Sequence, residues 1–253
     1  MRFSSCFGQY PLAGGYDVTK AIEILRAEMP NFHGSDDEPK NWKSQWEILD
    51  FLQQRLKPDV RSLETGCGYS TVVAAESGAD HVTVTPSADE QVRVRSFCNK
   101  YDIDHANVTF AIGPSCEMLP KLDGELHLVY IDGAHGFPHP CVDWMYTEAR
   151  LAIGGTMLVD DIRIPSCRML HEFLMEEPNW TLDRFIGDTS IFTKLAHGNN
   201  SADWMHQGIN RTYPDFRYLP KAQQWKRDAR HAAEWVARAT GLTKPIKRVL
   251  GIK

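Results

Sequence analysis

Apolar and polar positions along the chain follow two periods in turn, which predicts helices alternating with strands. Apolar residues recur at helical spacing from Trp42 to Leu52, and Lys57-Pro58-Asp59 ends this predicted helix. Short apolar runs bounded by turn residues then predict strands. These runs cover residues 60–64, 81–85, 108–112, 126–131 and 156–160. The segments between them are long enough for crossover helices, so the pattern predicts βαβ units and a mainly parallel sheet.

The later part of the chain predicts a change in strand direction. Residues 180–186 and 189–195 flank the turn Gly187-Asp188 and are typical of a hairpin. Adding this antiparallel pair gives a doubly wound α/β fold with a seven-stranded, mainly parallel sheet. The glycines of Ile153-Gly154-Gly155 indicate a turn just before the fifth strand.

The chain also predicts three regions of unequal character. Residues 1–40 are expected to form an N-terminal cover segment, residues 41–196 the α/β domain, and residues 197–253 a basic helical extension. In that extension, apolar residues of 221–240 lie on one helical face, and Gly241 is a plausible cap just beyond it.

Composition favours a cytoplasmic protein with one large core. The 253 residues are 42% hydrophobic and 24% charged, which is enough for a full-size α/β core. No apolar run approaches the roughly 20 residues that a membrane-spanning helix needs. The N-terminus lacks the apolar core of a secretory signal, and the 6 cysteines are scattered without metal-finger spacing, as expected of reduced thiols.

Charge is distributed unevenly. The net charge is −5, yet residues 197–253 hold 11 Lys or Arg against 4 Asp or Glu. We interpret the basic extension as folding on its own acidic body or on a partner subunit, which makes a homo-oligomer an expected partner state. A nucleic-acid contact is the alternative that such asymmetry leaves open.

The chain carries a glycine loop between its first predicted strand and the following helix, Leu63-Glu64-Thr65-Gly66-Cys67-Gly68-Tyr69-Ser70. Glycines after a strand let the backbone turn sharply and approach a ligand, and the next helix presents its N-terminal amides. A dinucleotide-binding fingerprint requires a small residue at position 71, where this chain has Thr71. The acidic residue two positions before the first glycine also points away from that class.

The sequence Glu-x-Gly-x-Gly-Tyr-Ser resembles the cofactor motif of class I S-adenosylmethionine-dependent methyltransferases. Its Gly-Tyr-Ser segment is similar to the corresponding segment of the metal-dependent small-molecule O-methyltransferases. The resemblance covers about residues 40–195 and implies a Rossmann-like methyltransferase fold with sheet order 3-2-1-4-5-7-6, strand 7 being antiparallel. It further implies that S-adenosylmethionine meets Glu64, Gly66, Cys67, Gly68, Tyr69, Ser70, Thr85, Ser115 and Asp132. In this family Glu64 and the glycine backbone would face the methionine part, with Ser70 near its carboxylate.

Two positions depart from the family pattern. The family usually places an acidic residue at the end of the second strand for the ribose hydroxyls, where this chain has Thr85. It often places an Asp beside the adenine after the third strand, where this chain has Gly113-Pro114-Ser115. Three alternatives follow: Ser87 and Ser115 compensate, the affinity is low, or the protein no longer methylates.

Carboxylates follow the fourth and fifth predicted strands. Asp132 follows the fourth strand, and Asp160 and Asp161 end the fifth. Neighbouring parallel strands bring these residues to one rim, where an all-oxygen set suits Mg²⁺, Mn²⁺ or Ca²⁺. The resemblance implies the same, because metal-dependent O-methyltransferases carry an Asp after strand four and an Asp-Asn or Asp-Asp pair after strand five.

His135 is the candidate general base, since it lies three residues beyond Asp132 in the same loop. Trp42 and Trp46 either form a wall over the substrate or pack into the core. The expected function is therefore transfer of a methyl group from S-adenosylmethionine to a hydroxyl of a small molecule, with a divalent cation and with His135 and Asp132 as catalytic residues. The alternatives are a methyltransferase-like binding or regulatory protein, and an RNA or protein methyltransferase.

Overall fold

The computed structural model describes residues 19–34, 37–40, 42–198, 207–211 and 219–240. The chain divides into two compact units, Met1–Asn199 and Asn200–Lys253. The first unit contains the α/β body together with the described part of the N-terminal segment. The predicted cap at Gly241 lies outside the described residues.

A seven-stranded sheet organises the described part of the first unit. Its strands are β3 (Arg61–Thr65), β4 (Asp80–Thr85), β5 (Val108–Ile112), β6 (Leu126–Ile131), β7 (Leu151–Val159), β8 (Trp180–Ile186) and β9 (Thr189–Lys194). The strand order is β5-β4-β3-β6-β7-β9-β8. The first five strands run parallel, and β9 pairs antiparallel with both β7 and β8. This arrangement is the predicted order 3-2-1-4-5-7-6, and it confirms the predicted fold.

Helices cover both faces of the sheet. In the described residues of the first unit they are α1 (Lys20–Glu28), α2 (Trp46–Arg55), α3 (Tyr69–Ser77), α4 (Ala88–Lys100), α5 (Ser115–Met118), α6 (His139–Glu148) and α7 (Pro165–Glu176). Helices α1 to α4 share one apolar core cluster with Leu128 and Tyr130 of β6. Trp144 of α6 and Leu170 of α7 share the other with Val129. Successive side chains of β6 therefore enter opposite layers, as expected of a strand buried on both faces.

Two local predictions were wrong. The helix predicted from Trp42 begins at Trp46, and Trp42 lies before it with 63% of its surface exposed. Trp46 packs against Tyr69 at a ring-centroid distance of 5.8 Å. Residues 153–155, which were predicted to form a turn, lie inside β7. The register of the pairing between β7 and β6 shifts there, between Leu126 and Leu128 of β6. Gly154 there has φ +84°, so the turn signal marked a bulge within the strand.

A small hairpin precedes the α/β body. It pairs β1 (His33–Gly34) with β2 (Pro39–Lys40) in antiparallel fashion. Arg93 of α4 holds it, because Nη1 of Arg93 donates to the carbonyl oxygens of Phe32 (3.2 Å) and Gly34 (2.6 Å). The hairpin thus lies against the helix that follows β4.

The second unit contains helix α8 (Lys221–Thr240), as predicted. Trp225 and Val236, which the sequence places on its apolar face, are 81% and 49% exposed. None of the described helices is long and apolar enough to cross a membrane.

Candidate cofactor and catalytic site

The glycine loop connects β3 to α3 at the carboxyl edge of the sheet. Gly66 has φ +105°, and a Cβ atom there would lie 2.5 Å from the backbone oxygen of Asp132. Position 66 therefore requires glycine both for its backbone conformation and for its close approach to the loop after β6. The backbone at Gly68 is extended, with φ 177°, so its conformation does not require glycine.

Thr71 ties the glycine loop to the strand beneath it. The Gly68 N–H donates to Thr71 Oγ1 at 2.9 Å, and the Thr71 hydroxyl in turn donates to Glu64. Because α3 begins at Tyr69, its first-turn N–H groups lie at the loop, where a helix favours anions. The residue that breaks the dinucleotide fingerprint thus fixes the loop of this chain.

Glu64 lies under the loop with only 2% of its surface exposed. His81 Nε2 of β4 is 3.2 Å from Glu64 Oε1, and His81 Nδ1 is 2.8 Å from the Ser62 hydroxyl. Burial by itself raises the pKa of Glu64, but the charge and hydrogen bond of His81 and the hydroxyls of Ser70 and Thr71 outweigh it and lower that pKa. Glu64 is therefore an ionised group that anchors the loop from below.

Three other predicted loop residues are also buried. Cys67 is 4% exposed, and burial raises the pKa of its thiol to about 12. The Tyr69 hydroxyl donates to the Pro30 carbonyl at 3.0 Å, so its side chain points to the N-terminal segment. Ser70 is 5% exposed and its hydroxyl lies at Glu64. Any ligand contact of Cys67 and Tyr69 therefore falls mainly to their backbone.

Glu90 supplies a carboxylate at the end of β4. The Thr85 hydroxyl is buried and donates to Glu90 Oε2 at 2.5 Å. Ser87 begins α4 by accepting the Glu90 N–H at 3.3 Å, which places Glu90 in the first helical turn. The charge of Glu90 also raises the pKa of Cys67 in the glycine loop. The acid that the sequence lacks at position 85 is thus present five residues later, facing the same loop.

Ser115 lies at the start of α5, beside a buried acid of α6. Asp143 is fully buried, and burial raises its pKa, while the hydroxyls of Ser115 and Thr65 lower it. Thr65 ends β3 and Ser115 follows β5, so Asp143 lies near the carboxyl ends of two strands. Asp143 was not among the residues predicted from the sequence.

His135 lies among the carboxylates after β6 and β7. Its Nδ1 is 3.2 Å from Asp161 Oδ2, and its Nε2 is 3.7 Å from Asp132 Oδ1. The neighbouring Asp132 carboxylate raises the pKa of His135, against the effect of burial. Burial raises the pKa of Asp132 to about 8, although the neighbouring imidazole of His135 opposes this. The pKa values of both groups are therefore raised.

Asp160 is occupied by protein hydroxyls. Tyr130 donates to its Oδ2 at 3.1 Å, and Thr189 of β9 donates to its Oδ1. Asp161 has φ 53°, and burial together with the charge of Asp160 raises its pKa. Within the described ranges, no three His, Cys, Asp or Glu side chains are placed to hold a metal ion. Hydroxyl groups contact Asp160 and the imidazole of His135 lies beside Asp161, and a divalent cation on Asp132, Asp160 and Asp161 stays a prediction.

Comparison with known proteins agrees with this geometry. Residues 63–162 match the family described as "Methyltransferase domain". The strand order of the sheet is that of the Rossmann-like methyltransferase fold. No curated protein sequence matches the chain.

Solved structures share this fold. The cofactor-bound protein Rv0187 from MTB is 18% identical, with a TM-score of 0.57 over 74% of this chain and 93% of that one. The O-methyltransferase TomG from Streptomyces achromogenes, in complex with SAM, is 18% identical, with a TM-score of 0.53 over 73% and 93%. An O-methyltransferase from Bacillus cereus in complex with SAH is 18% identical, with a TM-score of 0.52 over the same shares.

Glu90 and His33 lie beside the glycine loop, and neither was predicted from the sequence. Glu90 had a usable signal, since an acid in the first turn of the helix after Thr85 can reach the end of β4. His33 had none, because the N-terminal hairpin reaches the loop only through tertiary packing.

Proposed function

We propose that the chain binds S-adenosylmethionine and transfers its methyl group to a hydroxyl of a small molecule, with His135 as general base. The observation that carries the proposal is the Glu90 carboxylate, held at the end of β4 where the family binds the ribose hydroxyls. The SAM and SAH complexes of TomG and the Bacillus cereus O-methyltransferase add support, since both share this fold.

The geometry of Glu90 fits a ribose diol. Thr85 donates to Oε2, and His33 Nδ1 lies 2.9 Å from Oε1. A carboxylate has about four lone-pair sites, so each oxygen keeps capacity for one further donor. Two adjacent hydroxyls can then bind one to each oxygen, as charge-assisted hydrogen bonds.

The loop around Gly66 and Gly68 fits the amino-acid end of the cofactor. The first-turn N–H groups of α3 favour a carboxylate, while the buried charge of Glu64 lies directly below the loop. When bound, the cofactor supplies a methyl group that is already activated on a sulfonium sulfur. The protein then has to hold the acceptor oxygen in line and remove its proton.

His135 has the position and the partners of a base. Asp161 lies at Nδ1 and orients the ring, and His135 Nε2 is a buried nitrogen with no hydrogen bond of standard geometry in the described residues. The acceptor O–H would donate to Nε2 and lose its proton there as the oxygen bonds to the methyl carbon, while the carbon–sulfur bond breaks and S-adenosylhomocysteine is the leaving group. The negative charge of Asp161 stabilises the imidazolium that forms.

A divalent cation on Asp132, Asp160 and Asp161 is the competing means of activating the acceptor. It would compete with the imidazole of His135 for Asp161, and with the hydroxyls of Tyr130 and Thr189 for Asp160. The groups that already contact these carboxylates therefore favour His135, rather than a cation, as the means of activating the acceptor. A binding protein on the same fold is the second competitor, and it differs by the absence of turnover.

Calorimetry with S-adenosylhomocysteine tests the cofactor assignment, and transfer of a labelled methyl group to hydroxyl-bearing small molecules tests the reaction. We expect Glu90→Gln to weaken S-adenosylhomocysteine binding by about 10 to 100-fold, because hydrogen bonds to a charged group are lost. Glu176→Gln, which neutralises an exposed acid at the end of α7, is the matched control. Unchanged affinity in Glu90→Gln would contradict the ribose assignment, and binding without any methyl transfer would favour the binding protein.

A further inference from the structure

We infer that His33 of the N-terminal hairpin is a positioning residue that orients Glu90 toward the ribose of the cofactor. The inference rests on the proposed function and adds a residue from outside the βαβ core to its site. His33 acts through Glu90, to which it is joined by the 2.9 Å contact between Nδ1 and Oε1.

His33 also lies over the glycine loop. A Cβ atom on Gly68 would lie 3.1 Å from His33 Nε2 and 3.5 Å from Cε1. Since the backbone at Gly68 is extended, this contact is the reason that position 68 accommodates only a hydrogen without a shift of the ring. One imidazole thus meets both the loop proposed for the amino-acid end and the acid proposed for the ribose.

The hairpin holds His33 independently of Glu90. Arg93 binds the carbonyl oxygens on either side of it, those of Phe32 and Gly34. The Phe32 ring packs edge-on against Tyr69 and Phe97, at centroid distances of 5.6 and 5.5 Å. The imidazole therefore starts from a fixed backbone and does not depend on the ion pair for its place.

Two donors from different elements fix the orientation of the carboxylate. Thr85 of β4 holds Oε2 and His33 of the hairpin holds Oε1. The His33 and Glu90 side chains are each 15% exposed, so a ligand can reach the open side of the carboxylate. Among the described residues, Thr85 is the remaining side-chain partner of the Glu90 carboxylate once His33 is removed, and the carboxylate can then rotate away from the diol. The loss should therefore fall on the ribose hydroxyls specifically.

The experiment compares S-adenosylhomocysteine with its 2′-deoxy and 3′-deoxy analogues by calorimetry. In the wild type we expect a preference of about tenfold or more for the full diol, given hydrogen bonds to a charged group. His33→Ala should reduce that preference to about twofold, and His33→Gln, which keeps an N–H donor, should restore most of it. Gly68→Ala should reduce the preference for the diol as His33→Ala does. In the double variant it should reduce the preference little further, because both changes act through the imidazole ring of His33.

Trp42→Ala is the control for a simple covering role. The Trp42 ring is 5.9 Å from the His33 ring, so its removal exposes His33 without removing a partner of Glu90. We expect the ratio of affinities to stay at the wild-type value in Trp42→Ala. Thermal unfolding of each variant checks that the fold is intact.

The outcomes separate this inference from the proposed function. If the wild type does not bind S-adenosylhomocysteine, or binds the deoxy analogues equally well, the ribose assignment of Glu90 fails and the inference fails with it. A wild type that prefers the diol, and loses that preference without Glu90, supports the ribose assignment. If His33→Ala then keeps the full preference, or lowers the affinity for all three ligands equally, only the inference about His33 is overturned.

Discussion

The Nδ1 atom of His135 lies 3.2 Å from the Oδ2 atom of Asp161, in the space where the sequence predicts a divalent cation. An imidazolium and a metal ion both neutralise clustered carboxylates. The cluster after β6 and β7 is therefore compensated by a side chain of its own loop, and this relationship determines how methyl transfer should depend on metal and on pH.

Excess chelator should leave methyl transfer at its starting rate, since the proposed base is the side chain of His135. His135→Ala should slow the reaction by about 10² to 10⁴-fold, the usual contribution of a positioned base. Initial rates with and without EDTA, followed by addition of Mg²⁺ or Mn²⁺, measure this. Loss of activity in EDTA that returns with the metal would instead support the cation on Asp132, Asp160 and Asp161.

The rate should rise with pH through a single ionisation above 6.5, because the pKa of His135 is raised from that value and only the neutral ring accepts a proton. Below that pKa the ring is protonated and the rate falls. His135→Asn should be slow and should lose this rise. A profile that keeps the same ionisation in His135→Asn would assign it to another group.

Thr85→Glu should weaken cofactor binding by about tenfold, although it restores the family's usual acid. The Thr85 side chain is buried and donates to Glu90, so a second carboxylate would repel the first and remove its hydrogen bond. Thr85→Ser keeps the hydroxyl and is the control. Tighter binding of S-adenosylhomocysteine by Thr85→Glu would show that Glu90 does not bind the ribose.

Gly66→Ala should destabilise the fold more than Gly154→Ala. Both residues have positive φ, which costs about 1–3 kcal/mol for a residue with a Cβ. Only Gly66 also meets a backbone oxygen, whereas a Cβ on Gly154 has nothing within 4 Å. Denaturant unfolding of both variants measures the difference, and equal losses would argue against the close approach of the loops after β3 and β6.

Lys194→Met should lower the free energy of unfolding by about 3–5 kcal/mol, as expected when one member of a buried ion pair is removed. Lys194 Nζ lies 3.1 Å from Glu148 Oε1 and donates to the carbonyl oxygens of Glu148 and Leu151, with no exposed surface. Adding Glu148→Gln should recover part of the loss. If Lys194→Met is as stable as the wild type, water solvates the Lys194 ammonium group in the folded wild type.

The order of the sheet could be predicted because each strand carries its own local signal. The runs at 108–112 and 126–131 match β5 and β6 residue for residue, and Gly187-Asp188 gave the antiparallel hairpin. The prediction at Trp42 was wrong because aromatic spacing alone cannot show where a helix begins. The glycines at 153–155 were taken for a turn because a bulge and a turn use the same residues.

The site was less predictable than the fold, since it depends on contacts between distant segments. The sequence places Asp132 and His135 in one loop, but it does not show that the imidazole would hold Asp161. Glu90 lies five residues beyond Thr85, in the first turn of α4, and not at the strand end where the family usually has its acid. His33 lies 57 residues from its partner Glu90, in a segment with little periodic pattern. Such pairings arise from tertiary packing, which hydrophobic periodicity does not encode.

The place of β9 in the sheet has a consequence for biosynthesis. It lies between β7 and β8, yet it follows both of them in the chain. Until the ribosome releases Thr189–Lys194, β7 presents an unpaired edge whose residues 155–159 are buried in the finished protein. Such an edge is a template for pairing with other chains. Nascent or truncated chains that stop before residue 189 should therefore need chaperones most, and the completed hairpin removes that need.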